Sequence, residues 1–270
     1  MGAKINHVAI VSDEYAMVAQ FYQAVFGFQP PSSQRNFNSA TVGDGYVGIN
    51  LNPRRPNRPA GLDHFGVEVD DIQATIAKLG AKYPAVHVLK RMSNRNFASY
   101  TTHDPDGNIL DLSQRALDNR GEIYSEMEGG WNQKRVVSHY GIRTLHPEAT
   151  ARFYVDVFEL SPANKTPNDP NFYLTDGRVT LTIMPWDILD FAGTGIVRSG
   201  PHHIGIRVDS LDVFKADLDR VVAENPGLAP KPLSVGPEGE AVRQLFEKSV
   251  PYAALQLADN SNVLIAVSEG

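Results

Sequence analysis

Four short segments each carry a histidine near the start of a strand-like stretch, and histidine can ligate a metal or move a proton near neutral pH. The plainest of them is Gly61–Val69, GLDHFGVEV. Read as a strand, its alternation puts His64, Gly66 and Glu68 on one face and Phe65, Val67 and Val69 on the other. The apolar face suits packing against a helix layer. A histidine and a glutamate are an unusual lining for the opposite, also sheltered, face. A near copy, GPHHIGIRVD, runs over 200–209 and places His203, Gly205 and Arg207 together. His7-Val8-Ala9-Ile10 and His139-Tyr140-Gly141-Ile142 open two more strands of the same type. Four such strands imply a repeated fold with a repeated site.

Composition narrows the chemistry. The chain has 270 residues, 42% hydrophobic and 21% charged, which fits one or two globular domains. Cysteine is absent, so thiolate catalysis, zinc-thiolate sites and disulfides are excluded. The net charge of −6 and the absence of a basic patch speak against a nucleic-acid partner. No apolar run reaches membrane-spanning length and the first residues show no signal-peptide pattern, so no membrane partner and a cytoplasmic location are expected.

The elements that position the histidines follow from periodicity. A strand over Ile5–Val11 leads to a helix capped by Ser12 or Asp13, with Val18, Phe21, Tyr22 and Val25 at helical spacing and Gly27 as its stop. Strands are expected over Phe37–Val42 and Tyr46–Asn52, joined at Gly43-Asp44-Gly45. After the His64 strand, Asp70 or Asp71 caps a helix with Ile72, Ile76 and Leu79 on one side. Strands over Val86–Arg91 and Phe97–Thr102, the turn Asp104-Pro105-Asp106-Gly107-Asn108 and a strand over Ile109–Ser113 close this unit. Residues 115–134 read as a linker.

The same plan then recurs. His139 follows His7 by 132 positions (139 minus 7), and Phe153-Tyr154 follows Phe21-Tyr22 by the same 132 (153 minus 21). Asp209 precedes a helix with Val213, Phe214, Leu218 and Val221 on its apolar side. Tyr252–Leu257, a turn at Asp259-Asn260-Ser261-Asn262 and Val263–Val267 end the chain.

HVAI followed by Phe21-Tyr22, DHFGVEV and DPDGNILDL over 104–112 together resemble the vicinal oxygen chelate superfamily, which includes glyoxalases, bleomycin-binding proteins, epimerases and extradiol dioxygenases. The resemblance covers nearly the whole chain. It implies an α+β fold of four βαβββ modules in two paired domains, 1–120 and 135–270. Each would be a cupped, eight-stranded mixed sheet with its helices outside. It also implies metal ligands at His7, His64 and Asp111, two imidazoles and a carboxylate that leave coordination positions open. The family usually has glutamate where this chain has Asp111, one methylene shorter; Glu68, on the His64 face, is an alternative donor. The implied cofactor is a divalent metal, Fe(II) first, with manganese, zinc or nickel served by the same ligand types.

The second half departs from this pattern. Aligning Asn262 with Asn108 gives His139, His203 and Ile265 as the matching positions, so the carboxylate is missing. Arg143 and Arg207 share faces with His139 and His203, which suits an anion better than a metal ion; the plainer reading, and the one favoured, is a degenerate domain kept for packing with the arginines paired to acids.

The two-domain length resembles extradiol ring-cleaving dioxygenases acting on a catechol-like diol; a glyoxalase, lyase or epimerase and a non-catalytic binding protein are the alternatives. For catalysis the candidates are His87, from a strand of the first half, Tyr100, one residue from the family's tyrosine register at Thr101, and Asn50, near the position of a fourth ligand. Phe37 and Tyr46 are candidates for an aromatic wall around a small-molecule substrate, with Glu68 beside them, although strand aromatics also serve as core. Association into a homo-oligomer stays open.

Overall fold

The computed structural model describes residues 2–31, 38–95, 98–114, 133–187, 199–233 and 236–270. The first half runs β1 (Lys4–Ser12), α1 (Tyr15–Phe26), β2 (Ala40–Gly43), β3 (Gly48–Pro53), β4 (Gly61–Glu68), α2 (Ile72–Lys82), β5 (Leu89–Arg95), β6 (Ala98–His103) and β7 (Ile109–Ser113). The second runs β8 (Val136–Thr144), α3 (Pro147–Phe158), β9 (Ser161–Pro162), β10 (Phe172–Thr175), β11 (Thr180–Pro185), β12 (Gly200–Val208), α4 (Leu211–Glu224), α5 (Gly236–Ser249), β13 (Leu255–Ala258) and β14 (Leu264–Glu269).

Each half forms one mixed sheet, in the orders β2-β3-β1-β4-β7-β6-β5 and β13-β14-β12-β8-β11-β10-β9. Among the described residues each sheet has seven strands where eight are expected. The eighth is reduced to a single bridge, Gln29 with Gly43 in the first sheet and Lys231 with Ala258 in the second. Proline explains both. Pro30 and Pro31 follow Gln29, and Pro230 and Pro232 flank Lys231, so neighbouring residues have no N–H to extend a ladder.

Some element ends differ from the periodicity reading for local reasons. The N-cap of α1 is Glu14, and Ser12 acts two residues earlier by accepting the Glu14 N–H at 2.9 Å. Gly27 does end α1 in the left-handed conformation, φ 73°. Asp71 caps α2, its carboxylate accepting from Gln73 and Ala74 N–H. On α4, Phe214 and Val221 are buried, but Val213 is 54% exposed and belongs to the solvent face. The helix α5 is not signalled by the sequence pattern, because GPEGEAVRQLFEKS carries two glycines, a proline and few apolar residues. The linker reading falls mostly on residues 115–132, outside the described residues.

One hydrophobic cluster joins the helix-facing sides of both sheets: Phe65 of β4 packs on Tyr140 of β8, ring centroids 4.9 Å apart, and Phe26 stacks on Phe214 at 5.3 Å. Polar contacts across this join are reciprocal. Asp44 accepts the Val137 N–H at 2.7 Å, and Asp176, 132 positions on (176 minus 44), accepts the Ile5 N–H at 2.8 Å. Tyr22 donates to Asp259 and Tyr154 to Asp104, each at 3.1 Å. The repeated helix pair Phe-Tyr thus supplies one core ring and one hydroxyl that holds the turn of the opposite half.

Two outcomes follow. Tyr154→Phe deletes a donor to the buried Asp104 carboxylate, and a loss of about 1.5–3 kcal/mol in unfolding free energy is expected from urea titration. Asp259 carries the pH signature. Burial pushes its carboxyl up to about 6, against the downward pull of the Val263 and Ser261 N–H groups and the Tyr22 hydroxyl. A raised carboxyl means that the folded state binds the extra proton, so this group favours folding at low pH and loses that contribution as pH rises from the unfolded value towards about 6. Asp259→Asn should therefore gain stability relative to wild type across that window; parallel stability–pH curves for the two proteins would contradict this.

Candidate metal centre

The cup of the first sheet is built by a row of paired residues crossing the strands. His7 on β1 pairs with Gly66 on β4, Gly66 with Asp111 on β7, and Asp111 with Thr101 on β6. Directly paired residues share a face, so His7, Asp111 and Thr101 point into the same concavity. His64 joins them from the next row, where it pairs with Ala9, itself paired with Asn50 on β3. The opposite faces carry Val8, Ile10, Phe65, Val67, Leu110 and Leu112, all fully buried against the helices. Hydrophobic alternation thus fixes which way the polar row must face.

Gly66 is required by this packing. A Cβ built on it would lie 1.9 Å from Cε1 and 2.3 Å from Nδ1 of His7, so the His7 imidazole lies in the space a side chain would take. The result is a cluster in which donor atoms of His7, His64 and Asp111 all lie within 4.8 Å of one another. All three residues are buried, at 0%, 8% and 3% exposure.

The electrostatics separate the two imidazoles. Burial, with His64 and Arg91 nearby, lowers the His7 pKa to about 3, so His7 is neutral at physiological pH, as a ligand must be. Burial also acts downward on His64, but hydrogen bonds and charge from Asp111 and Asp63 outweigh it and raise its pKa to about 9. His64 Nε2 stands 3.2 Å from Asp111 Oδ2. Burial acts upward on Asp111, but the hydrogen bond and charge of His64, with His7 and Arg91, hold its carboxyl well below the usual range. In the ion-free state a proton on His64 therefore compensates the Asp111 charge. The donor set fits a divalent cation, which would replace that proton between the same atoms.

Arg91 and Thr101 surround Asp111; the sequence reading places Thr101 in the family's tyrosine register without a role toward Asp111 and gives Arg91 no role beyond ending a strand. Arg91 donates to both carboxylate oxygens, at 2.9 and 3.1 Å, and to Thr101 Oγ1, while Thr101 donates to Asp111 Oδ1 at 2.5 Å. The signal for Thr101 was available in its register opposite Asp111. Nothing in the sequence points to Arg91, since it sits on an edge strand twenty residues from its partner.

Other sequence-predicted residues are distributed differently. Asn50 does face the cup, where its side-chain oxygen accepts from Thr41 at 3.0 Å. Glu68 is half-buried on the cup side of β4 but lies outside the group of converging donors. His87 is exposed, precedes β5, and turns its backbone N–H to His103 Nε2 at 3.0 Å, so it does not reach the cup. Tyr100 pairs with Leu112, faces the helix layer and accepts from Gln73 Nε2 of α2 at 3.1 Å. Tyr46 lies at the join between the halves, bonded to Asp176 at 3.3 Å with Lys4 over its ring at 4.1 Å, and forms no wall of the cup. Phe37 lies outside the described residues.

The second sheet repeats the scaffold and closes it. His139 pairs with Gly205 and His203 with Gly141, and a Cβ on either glycine would fall within 2.2 Å of Cε1 of its facing histidine. The residue equivalent to Asp111 is Ala266, paired with Gly205, and not Ile265, which faces the core. The turn explains the slip. The Asp104 N–H bonds Asn108 and the Asp259 N–H bonds Val263, so Asn262, at φ 62°, stands where Gly107 stands, at φ 88°. A carboxylate is missing under either alignment. Arg207 is exposed, so it does not converge with the buried Arg143, which donates to Ser249 Oγ at 2.6 Å. Phe246 of α5 packs on His203 at 5.7 Å and with Val250 against Ala266, while the Tyr252 hydroxyl stands 3.4 Å from Nε2 of both histidines. The space a ligand would need is filled by the chain itself.

A family model described as the glyoxalase/bleomycin resistance protein/dioxygenase superfamily matches residues 4–112. An uncharacterized Escherichia coli (strain K12) protein, YaeR, is 30% identical over 126 residues, 42% of this chain and 96% of that protein. The chain belongs to this superfamily. Among solved structures, catechol 2,3-dioxygenase superposes with a TM-score of 0.61 at 12% identity, covering 99% of this chain and 87% of that one. An Mn(II)-bound glyoxalase from Novosphingobium aromaticivorans gives 0.61 at 13% identity, over 98% and 81%. A fusion of a xylose isomerase-like TIM barrel with a 4-hydroxyphenylpyruvate dioxygenase gives 0.59 at 14% identity; the whole of this chain spans 49% of its length. At these identities the likeness shows the paired-sheet fold alone. Among the described residues no helix is long and apolar enough to cross a membrane.

Proposed function

We propose that His7, His64 and Asp111 hold one divalent metal, Fe(II) first among the ions, and that the chain is an oxygen-dependent, extradiol-type ring-cleaving enzyme for a small catecholic diol. The reading is supported above all by one observation: two imidazoles and one carboxylate converge within 4.8 Å on the concave face of the first sheet. Two histidines and one carboxylate with open positions are the donor set of non-haem Fe(II) oxygenases. When bound, such an ion supplies Lewis acidity and one-electron chemistry to a substrate that chelates through two vicinal oxygens.

The protein's own residues have distinct tasks. Thr101 holds Asp111 Oδ1 and Arg91 holds both carboxylate oxygens, with Oδ2 on the His64 side. Thr41 fixes the Asn50 amide at the cup wall, where it can orient a substrate oxygen. With His87 and Tyr100 outside the cup, Glu68, half-buried on the cup side of β4, is the candidate to accept a diol proton.

The loss of those two acid–base candidates, with Asn50 near the place of a fourth ligand, favours a second reading: a glyoxalase, lyase or epimerase that uses the same metal only as a Lewis acid. A non-catalytic binding protein would not need the converging donors. Oxygen uptake decides. Protein reconstituted anaerobically with Fe(II) is mixed with a panel of catechols and hydroquinones in an oxygen electrode. Consumption with at least one diol is expected. Bound metal with no consumption would transfer the assignment to the Lewis-acid reading.

A further inference from the structure

The β1–β4 ladder is interrupted twice, and each interruption falls on the residue just before a ligand histidine. The register passes from Ile5 opposite Val67 to His7 opposite Gly66, which leaves Asn6 as an extra residue on β1. It then passes from Ala9 opposite His64 to Ile10 opposite Leu62, which leaves Asp63 as an extra residue on β4. These are β-bulges, which re-aim a side chain that would otherwise point to the far face. Both re-aimed side chains grip the adjacent imidazole. Asn6 Oδ1 lies 2.8 Å from His7 Nδ1, and Asp63 Oδ2 lies 2.7 Å from His64 Nδ1.

The second sheet repeats the device. The extra residues of its β8–β12 ladder are Ser138 and His202. Ser138 Oγ stands 3.1 Å from His139 Nδ1, and His202 Nδ1 stands 2.9 Å from His203 Nδ1. All four strand histidines are thus held through Nδ1 by a bulged preceding residue, while the identity of that residue varies. Among these four bulge contacts, the one to His64 comes from a carboxylate. That carboxylate is itself anchored, since Arg58 donates to Asp63 Oδ1 at 2.7 Å.

We infer that Asp63 is the positioning residue of the metal centre: its carboxylate, delivered by the bulge and tethered by Arg58, fixes the proton of His64 on Nδ1 and turns Nε2 to the ion. This rests on the metal reading above. Metal-bound histidines characteristically donate their second N–H to such an outer partner, and its removal weakens metal binding by about 10–100-fold. Asn6 does the same for His7 with a neutral oxygen, and its amide is held in turn by donating to Ser113 Oγ at 2.8 Å. The carboxylate on one side and the amide on the other make the two imidazoles unequal donors.

The experiment measures affinity for Co(II) by competition with a chromophoric chelator, together with the visible spectrum of the Co(II) protein, for wild type, Asp63→Ala, Asp63→Asn and Asn6→Asp. Asp63→Ala should weaken binding by about 10–100-fold with an altered Co(II) spectrum. Asp63→Asn, which keeps an acceptor but not the charge, should fall between. Asn6→Asp should bind as tightly as wild type or more tightly. Melting curves of the ion-free proteins check that the variants fold. Wild-type protein that binds no Co(II) would remove the metal reading itself. Wild-type protein that binds Co(II), with Asp63→Ala within twofold of it and spectrally identical, would overturn the role of Asp63 and leave the metal reading intact.

Discussion

Gly66→Ala is expected to fold and to lose metal affinity by more than about 100-fold, beyond what loss of an outer-sphere partner costs. The added Cβ would stand 1.9 Å from His7 Cε1, far inside any permitted contact. The backbone cannot yield, because Gly66 is paired to His7 on one side and to Asp111 on the other. The imidazole must therefore swing out of the row and takes its nitrogen away from the ion. Its φ lies in the region any residue can adopt, so alanine itself introduces no backbone strain. Equilibrium dialysis against Fe(II) or Co(II), beside a thermal melt, separates the two effects. A variant that retains wild-type affinity would show that His7 is not a ligand. The same change at Gly205, which would meet His139 Cε1 at 1.8 Å, should leave the metal content unaltered.

His64→Ala should remove metal and activity together while the fold persists. His64 sits on the cup face, so its loss leaves the apolar side of β4, with Phe65 and Val67, untouched. It also leaves the Asp111 carboxylate held by Arg91 and Thr101, so the buried charge keeps two partners. Asp111→Glu, by contrast, restores the family's longer carboxylate and should keep or raise affinity. Urea unfolding of His64→Ala close to wild type, with metal content near zero, is the expected pair of results. Retained metal would move the ligand set elsewhere.

Much of this was legible in the sequence because the signals were local and periodic. Alternation along β4 and β1 fixed the faces of His64 and His7, and Gly27 and Asp71 marked helix ends through their own conformational chemistry. The pairing of two imidazoles with Asp111 came from resemblance, and the geometry brings those three residues together. What escaped notice depended on register and on partners distant in sequence. Tyr100 and Thr101 differ by one position, and only the pairing of Thr101 with Asp111 shows which enters the cup. Asn262 has the residue type of Asn108, which sets Ile265 against Asp111, whereas it fills the left-handed position of Gly107. Arg91 reaches its site from an edge strand, and Tyr252, expected to open the strand Tyr252–Leu257, lies in the turn before β13. The bulges at Asn6 and Asp63 reverse the alternation locally, so a strict period of two assigns those side chains to the wrong face.

The proposed single divalent ion of the first cup, held by His7, His64 and Asp111, is open to direct measurement. Its most direct test is metal stoichiometry by elemental analysis of wild type and His64→Ala, each reconstituted anaerobically with Fe(II) and desalted. Close to one equivalent is expected in wild type and close to none in the variant. Wild-type protein that emerges without iron, or a variant that carries as much as wild type, would contradict it.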